Sequence, residues 1–190
     1  MKEHITIIGA GNLTMSILEA IRRSRAKFTI NVVDIDKKKS SQLKKIGVTL
    51  NETYDDNISK SKFILLIVKP KDYVQALKSL DPYMNSQTVI LSFIAGISVN
   101  QIEKLLTADV NIARCMTNLA ISERQSYVFY FIRKGSKKDD DIIKKTQEIS
   151  HTEGLESVIF TFNKLPEEVF GQSQFQRIYE RTLLCGMNVK

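Results

Sequence analysis

Two glycines and one acidic residue near the start of the chain have the types and the spacing of a nucleotide-binding site. The turn that carries the glycines consists of Gly9, Ala10, Gly11, Asn12 and Leu13. Gly9 allows a sharp turn, and Gly11, which has no Cβ, lets a pyrophosphate approach the backbone N–H groups at the positive end of a helix. Asp34 follows twenty-five residues after Gly9, where a carboxylate can bind the ribose hydroxyls of NAD. The combination predicts a dinucleotide-binding site.

The residues around this turn predict the strand and the helix that would hold it. Residues 5–8 are strand formers, and residues 28–33 form a second such run that ends directly before Asp34. Apolar residues recur at helical spacing after the turn, at Leu13, Ile17, Leu18 and Ile21. The third glycine of the dinucleotide-binding fingerprint is Thr14 here, so the match is partial. The other interpretation is a glycine-rich turn in a different α/β protein, with Asp34 as a helix cap.

Strand-like and helix-like segments alternate along most of the chain. Further strands are predicted at residues 48–50, 63–68, 89–93, 110–115, 127–132 and 156–162. Helices are predicted between them, with Val74, Leu77 and Leu80 inward in one, Ser98 as the N-cap of another over 99–106, and acids 139–141 opening a third. We therefore predict an α/β fold, a doubly wound, mostly parallel Rossmann-type sheet with helices on both faces and a short C-terminal helical segment. Residues 1–162 would form the dinucleotide-binding domain and residues 163–190 the helical segment.

Two further residue pairs follow directly after predicted strands, as the glycine turn and Asp34 do. They are Lys69-Pro70 and Ala95-Gly96. Since the carboxyl ends of parallel strands meet at one edge of a sheet, we expect all of these residues to line one site at that edge.

The composition argues against several other classes of function. The net charge is +7 with clustered lysines, but the chain carries no nucleic-acid recognition module, so nucleic acid is not expected as a partner. Cys115 and Cys185 are too few for a disulfide framework or a four-thiolate zinc site, and His4 and His151 are isolated, so no metal site is expected. The longest apolar run is too short to cross a membrane, and the first predicted strand leaves no room for a signal peptide. A cytoplasmic protein without membrane contact is therefore expected.

Four short motifs occur in order along the chain: IIGAGNL at 7–13, LLIVKPKD at 65–72, LSFIAGIS at 91–98 and IARCMTN at 112–118. Together they resemble the N-terminal domain of pyrroline-5-carboxylate reductases, which catalyse the last step of proline synthesis. The resemblance implies hydride transfer from NAD(P)H to a cyclic imine. It also implies that the glycine turn contacts the pyrophosphate, and that the nicotinamide side of the cofactor lies near Val68, Lys69, Pro70, Ala95 and Gly96. Asn118 would lie at the junction of cofactor and substrate.

The chain departs from the family's pattern at positions that bear on cofactor and catalysis. Thr117 stands where the family has a proline, and Asp34 stands where many members have a small polar residue followed by arginine. Asp34 would repel the 2′-phosphate of NADP, whereas Lys37 to Lys39 could offset that repulsion. The cofactor is therefore expected to be NAD(H) or NADP(H), with NAD(H) favoured. No catalytic residue is assigned, and Lys69 is the ionisable residue of the matched motifs expected nearest the site.

The C-terminal segment also differs from the family. Its members continue into a helical domain that forms the dimer and binds the substrate carboxylate on a serine-glycine-rich loop, and no such loop is found here. The segment 165–190 carries apolar residues at Phe170, Phe175, Ile178, Tyr179 and Leu183. We expect it to pack against a second copy in a homodimer that acts on a small-molecule substrate. Two alternatives stay open: a nucleotide-binding protein of this fold without reductase activity (a sensor or a decayed paralogue), or a reductase of a different small substrate.

Overall fold

The strands and helices described below come from a computed structural model, which describes residues 3–23, 28–117, 119–123, 127–131 and 160–164. Within these ranges the strands are β1 (Glu3–Ile8), β2 (Phe28–Val33), β3 (Leu50–Asn51), β4 (Phe63–Leu66), β5 (Val89–Ser92), β6 (Asn111–Met116), β7 (Tyr127–Phe131) and β8 (Phe160–Lys164). The α-helices are α1 (Asn12–Arg23), α2 (Ser40–Lys45), α3 (Tyr73–Leu80) and α4 (Val99–Glu103). Short 3-10 helices cover residues 37–39, 58–60, 70–72, 81–83 and 119–123.

All of these strands join one sheet in the order β3-β2-β1-β4-β5-β6-β7-β8. The pairs among β1 to β6 are parallel. Their order is that of a Rossmann sheet, in which the direction of winding reverses between β1 and β4. β7 is antiparallel to β6, and β8 is parallel to β7. The predicted doubly wound, mostly parallel fold is confirmed, and the carboxyl ends of β1, β2, β4 and β5 meet at one edge.

Helices cover both faces of this sheet. On one face α1 buries Ile17, Leu18 and Ile21 in the same cluster as the inward residues of β1 and β4. On the other face, Leu77 of α3 and Ile102 of α4 pack in a second cluster. Every residue of β4 is buried, as a central strand covered on both faces requires. The apolar pattern that predicted these helices therefore reflects two separate layers of core.

The third strand begins later than its β-type residues at 48–50 predict. Gly47 adopts a φ of +76°, and the N–H of Val48 donates to the carbonyl of Leu43 at 3.0 Å. These contacts close the C-terminus of α2, so Val48 cannot pair with β2 at the same time. The ladder therefore starts at Leu50.

Several other ends differ from prediction for local reasons. β4 stops at Leu66 rather than at residue 68, although the N–H of the following Ile67 still donates to the carbonyl of Ile8 at 2.8 Å. α4 ends at Glu103 rather than at residue 106, since the next turn tightens into 3-10 hydrogen bonds. Val74 was expected to face inward but is 36% exposed, and Ala76 of the same helix is buried instead.

The N-cap of α4 is confirmed. The side chain of Ser98 accepts a hydrogen bond from the N–H of Gln101, and the Gln101 side chain accepts one from the N–H of Ser98. The two bonds form a complete capping box.

Several predictions fall on residues outside the described ranges: the helix opened by acids 139–141, the C-terminal segment 165–190, and the site residue Asn118. The last strand is described over Phe160–Lys164 instead of residues 156–162. The division of the chain after residue 162 stays a prediction. Among the described helices, none is long and apolar enough to cross a membrane.

Candidate functional site

The turn between β1 and α1 is fixed by its first glycine. Gly9 has a φ of +99°, and its N–H donates to the carbonyl of Val33 at 2.8 Å. A Cβ built on Gly9 would collide with the carbonyl oxygen of Ile67 and lie 2.9 Å from its carbonyl carbon. Both the backbone conformation and the lack of space therefore require glycine here.

The second glycine faces open space. A Cβ built on Gly11 would have no atom of the described ranges within 4 Å, and the backbone of Gly11 is not in the left-handed region. The helix α1 begins at the next residue, Asn12, and the Gly11 carbonyl accepts the N–H of Met15 at 3.1 Å. The first N–H groups of a helix have no acceptor inside it, so they can bind an anion in this space. The fold itself does not need glycine at position 11, whereas a pyrophosphate lying against the turn would.

Thr14 stands in place of the third glycine of the fingerprint and fits into the core beneath the turn. Its side chain is fully buried, and its hydroxyl donates to the carbonyl of Gly9 at 2.6 Å. The threonine therefore holds the turn from beneath by a hydrogen bond. The sequence showed the substitution but gave no sign of this bond.

Asp34 is connected to the glycine turn through its carboxylate. Oδ2 accepts the N–H of Ala10 at 2.5 Å, and Oδ1 accepts the N–H of Asp36 at 2.8 Å. The backbone N–H of Asp34 donates to the carbonyl of Asn51 on β3 at 3.1 Å. A carboxylate has about four acceptor positions, so these two bonds leave capacity for ribose hydroxyls. The predicted acid and the predicted turn lie side by side, joined by a contact that the spacing alone did not reveal.

Two of the three lysines that follow Asp34 are already paired with acids. Lys37 Nζ lies 2.8 Å from Glu52 Oε2, and Lys38 Nζ lies 3.3 Å from Asp36 Oδ2. The backbone N–H of Lys38, and to a lesser extent its ammonium group and that of Lys69, hold the pKa of Asp36 below its usual value. The surface around the acid is therefore a mixture of both charges.

Two residues near Asp34 were missed by the sequence analysis. Ile35 is 86% exposed, the most exposed of the large hydrophobic side chains in the described ranges. Burial, and secondly the negative charge of Asp34, raise the pKa of the Tyr54 phenol to about 12. The hydroxyl of Tyr83 donates to the Tyr54 carbonyl at 3.1 Å and fixes the backbone of this loop. Ile35 follows Asp34 directly, but the sequence did not show that its side chain would be exposed, and Tyr54 comes near Asp34 only in the folded chain.

The remaining predicted residues lie at the neighbouring strand ends. Val68 is half-buried and lies against Gly9, while Lys69 and Pro70 are exposed. The end of β5 is held beside the end of β4 by a hydrogen bond from the N–H of Phe93 to the carbonyl of Leu66 at 2.9 Å. Ala95 and Gly96 follow it and are exposed, with Gly96 at a φ of +75°.

Two polar groups of β6 are buried at the same end of the sheet. Arg114 is 3% exposed and lies opposite Ser92 of β5 in the register. Burial raises the pKa of the neighbouring Cys115 thiol, which makes that thiol unreactive. In the part of the chain that the structure describes, no group of three or more potential ligands could hold a metal ion.

The first half of the chain matches a known family. Residues 4–96 fit the model of a family described as NADP oxidoreductase coenzyme F420-dependent. The matched range runs from β1 to Gly96 and contains the glycine turn, Asp34 and both later strand ends.

Named relatives agree with that match. Pyrroline-5-carboxylate reductase 1 of Dictyostelium discoideum is 28% identical over 137 residues, which are 70% of this chain and 25% of that protein. The pyrroline-5-carboxylate reductase of Aquifex aeolicus is 29% identical over 118 residues, 62% of this chain and 43% of that protein. This chain therefore spans about a quarter to less than half of the length of these two relatives.

A solved structure shows the same fold. The crystal structure of Plasmodium falciparum pyrroline carboxylate reductase with NADP bound has a TM-score of 0.68 to this chain, at 15% identity. The match covers 88% of this chain and 59% of that one.

Proposed function

We propose that this chain, which belongs to the pyrroline-5-carboxylate reductase family, is a pyridine-nucleotide-dependent reductase that transfers hydride to the carbon of a cyclic imine. One observation carries the proposal. Gly11 faces space that none of the described residues occupies, and the carboxylate of Asp34 is bonded to the same turn. A phosphate-binding turn and a ribose-binding acid thus form one site at the carboxyl edge of the sheet.

The adenosine half of the cofactor would lie on the side of β2. The pyrophosphate would accept hydrogen bonds from the backbone N–H groups of Gly11, Asn12 and Leu13. The carboxylate of Asp34 would accept hydrogen bonds from the ribose hydroxyls. The exposed side chain of Ile35 offers an apolar surface for the adenine ring next to that ribose. This role would explain why a large aliphatic side chain is so exposed.

NAD(H) is the favoured cofactor in this proposal. The carboxylate of Asp34 can accept bonds from ribose hydroxyls but repels a phosphate ester at the same position. The Plasmodium falciparum relative was solved with NADP, so the preference rests on the residues of this chain. We expect tighter binding of NADH than of NADPH, measured by the change in nicotinamide fluorescence on titration. Clearly tighter NADPH binding would show that Lys37 to Lys39 dominate over Asp34.

The nicotinamide half would lie towards the ends of β4 and β5. Val68, Lys69, Pro70, Ala95 and Gly96 are the described residues that would hold it there, and Asn118 would stand between it and the substrate. The cofactor supplies the hydride, so the protein has to bring two carbons together and exclude water. A small cyclic imine such as pyrroline-5-carboxylate is the substrate that the family membership favours.

A reductase assay on the purified full chain tests the proposal. We expect pyrroline-5-carboxylate to cause oxidation of NADH, followed as loss of nicotinamide absorbance, and we expect Gly11→Val to abolish it. Cofactor binding without turnover would instead favour a nucleotide-binding protein of this fold. Turnover with a different cyclic imine only would keep the reductase and change the substrate. Failure to bind either reduced cofactor would contradict the proposal.

A further inference from the structure

We propose that Glu52 is a second determinant of cofactor choice, which acts by holding the Lys37 ammonium group away from the 2′-phosphate of NADP. The inference rests on the proposed function, because it assigns a role to residues beside the ribose-binding acid. Glu52 itself lies outside both the glycine turn and β2.

The strand pairing brings Glu52 next to the ribose-binding acid. Asp34 ends the β2 ladder by donating its N–H to the carbonyl of Asn51, the last residue of β3, at 3.1 Å. Glu52 is the next residue after that carbonyl. Its Oε2 lies 2.8 Å from Nζ of Lys37. The acid and the base therefore come from different segments and meet beside Asp34.

The charge pattern shows why this pair matters. Of the three consecutive lysines after Asp34, Lys37 pairs with Glu52 and Lys38 with Asp36. The Asp36 pair is local to its own turn, because Asp36 also accepts the N–H of Lys38 as a helix cap. The Glu52 pair instead couples the lysine to a different loop. Removing Glu52 would release the Lys37 ammonium group and leave the turn that carries it intact.

The pair is weak enough to be broken by a phosphate. The side chain of Lys37 is 70% exposed and that of Glu52 is 51% exposed, and exposed ion pairs contribute little. A 2′-phosphate carries more charge than a carboxylate and would compete for the same ammonium group. While Glu52 is present, it also places negative charge beside the phosphate. Both effects disfavour NADPH more than NADH, because NADH carries no phosphate at the 2′ position.

The test compares dissociation constants of NADPH and NADH for the full chain and for Glu52→Gln, by nicotinamide fluorescence. We expect the affinity ratio of NADPH to NADH to rise roughly two- to five-fold, the range that an exposed ion pair permits. Asp56→Asn is the matched control, because it makes the same charge change at an exposed position of the same loop. A Glu52→Gln effect no larger than that of Asp56→Asn would overturn the inference.

A double-mutant cycle separates release of Lys37 from simple repulsion by Glu52. In the Lys37→Gln background, Glu52→Gln should raise the ratio less than it does in the unmodified chain, because only the direct repulsion by Glu52 is left to remove. If Glu52→Gln raised the affinity ratio as much in that background as in the unmodified chain, the carboxylate would act alone. The proposed role of Lys37 would then be wrong.

Failure of this inference is distinguishable from failure of the proposed function. If the unmodified chain binds NADH but the cycle shows no coupling, only the inference fails. If the unmodified chain binds neither NADH nor NADPH, the proposed function fails with it.

Discussion

Gly9 and Gly11 are two residues apart in one turn, and the chain requires glycine at them for different reasons. At Gly9 the requirement is internal, since the φ is +99° and the carbonyl of Ile67 occupies the space of a side chain. At Gly11 the space is open and the φ is ordinary. Within the described residues nothing occupies that space, and a bound pyrophosphate would explain the second glycine. A substitution at Gly9 should therefore lower stability, whereas a substitution at Gly11 should weaken cofactor binding.

We predict that Gly9→Ala lowers the free energy of unfolding by about 1–3 kcal/mol, because the new Cβ strains the backbone and meets a carbonyl that cannot move freely. Gly11→Ala should change stability by no more than about 0.5 kcal/mol, as expected for an open surface position. Chemical denaturation of both variants at neutral pH measures the difference. Equal stabilities for the two variants would contradict the geometry of the turn.

Thr14 gives a second prediction at this scale. Thr14→Val keeps the shape of the buried side chain but removes the donor to the Gly9 carbonyl, which should cost about 1–3 kcal/mol. Thr14→Ser keeps the donor and loses one methyl group, at about 0.8 kcal/mol. The serine variant should thus be the more stable of the two in thermal unfolding. If the valine variant were the more stable, the hydroxyl would not be holding the turn.

The sequence predicted those candidate site residues that a short local motif identifies. A glycine turn after a strand, or an acid at a strand end, leaves a signature within a few residues of itself. The bond from Ala10 to Asp34 and the pair between Lys37 and Glu52 join residues 24 and 15 positions apart. Such contacts depend on strand order and side-chain direction, so one sequence could not predict them.

At the scale of elements, Asp81 joins the end of α3 to the loop before β6. Its carboxylate accepts the N–H of Thr107 at 2.8 Å and the hydroxyl of Thr107 at 2.7 Å. Burial alone would raise the pKa of Asp81, but the bonds from Thr107, and one from the N–H of Ala108, outweigh it and lower that pKa. The ionised form is therefore the one that the folded state binds.

The lowered pKa predicts a pH dependence of stability. A carboxylate whose folded-state pKa lies below its usual value of 3.8 stabilises fully above that value, and the contribution is lost as pH falls through the folded-state pKa. Asp81→Asn should lower the free energy of unfolding at neutral pH by about 1 kcal/mol, a modest effect because the site is open to solvent. The difference from the unmodified chain should shrink in acid, as followed by urea denaturation across pH. The exposed Asp56→Asn variant is the control, and a difference that grew towards low pH would contradict the sign.

The elements themselves were predicted well where one physical signal dominated. The bounds of β2 agree with the prediction, because its strand-type run ends directly before Asp34. β3 and α4 were misplaced at their ends, where hydrogen bonds of a helix C-terminus decide the boundary and apolar residues continue past it. Val74 has helical spacing with Leu77 but lies outside the buried stripe, since the helix directs Ala76 inward instead.

At the scale of the whole molecule, the sheet order follows from alternation of strands and helices together with right-handed crossovers. The antiparallel orientation of β7 was not predicted, although the connection of about ten residues from β6 to β7 is shorter than a parallel crossover needs. The parallel part of the sheet is what positions the site, and that part was predicted correctly.

The C-terminal segment carries a prediction about assembly. Five large apolar or aromatic residues lie in it, at Phe170, Phe175, Ile178, Tyr179 and Leu183, and burying a large side chain contributes about 1.5–3 kcal/mol. We expect this segment to pack against a second copy and form a homodimer. Deleting residues 166–190 should give a monomer or an aggregating protein without reductase activity, in sedimentation and turnover measurements. A full-length chain that is monomeric at micromolar concentration would contradict the dimer.

The central claim is that a reduced pyridine nucleotide lies against Gly11 at the carboxyl edge of the sheet. Isothermal titration of NADH into the full chain and into Gly11→Val tests it most directly, with circular dichroism to establish that the variant is folded. We predict one site per chain, and an affinity at least about tenfold lower in the variant, because the valine side chain occupies the space that the pyrophosphate needs. Equal affinity in a folded Gly11→Val protein would contradict this placement of the cofactor.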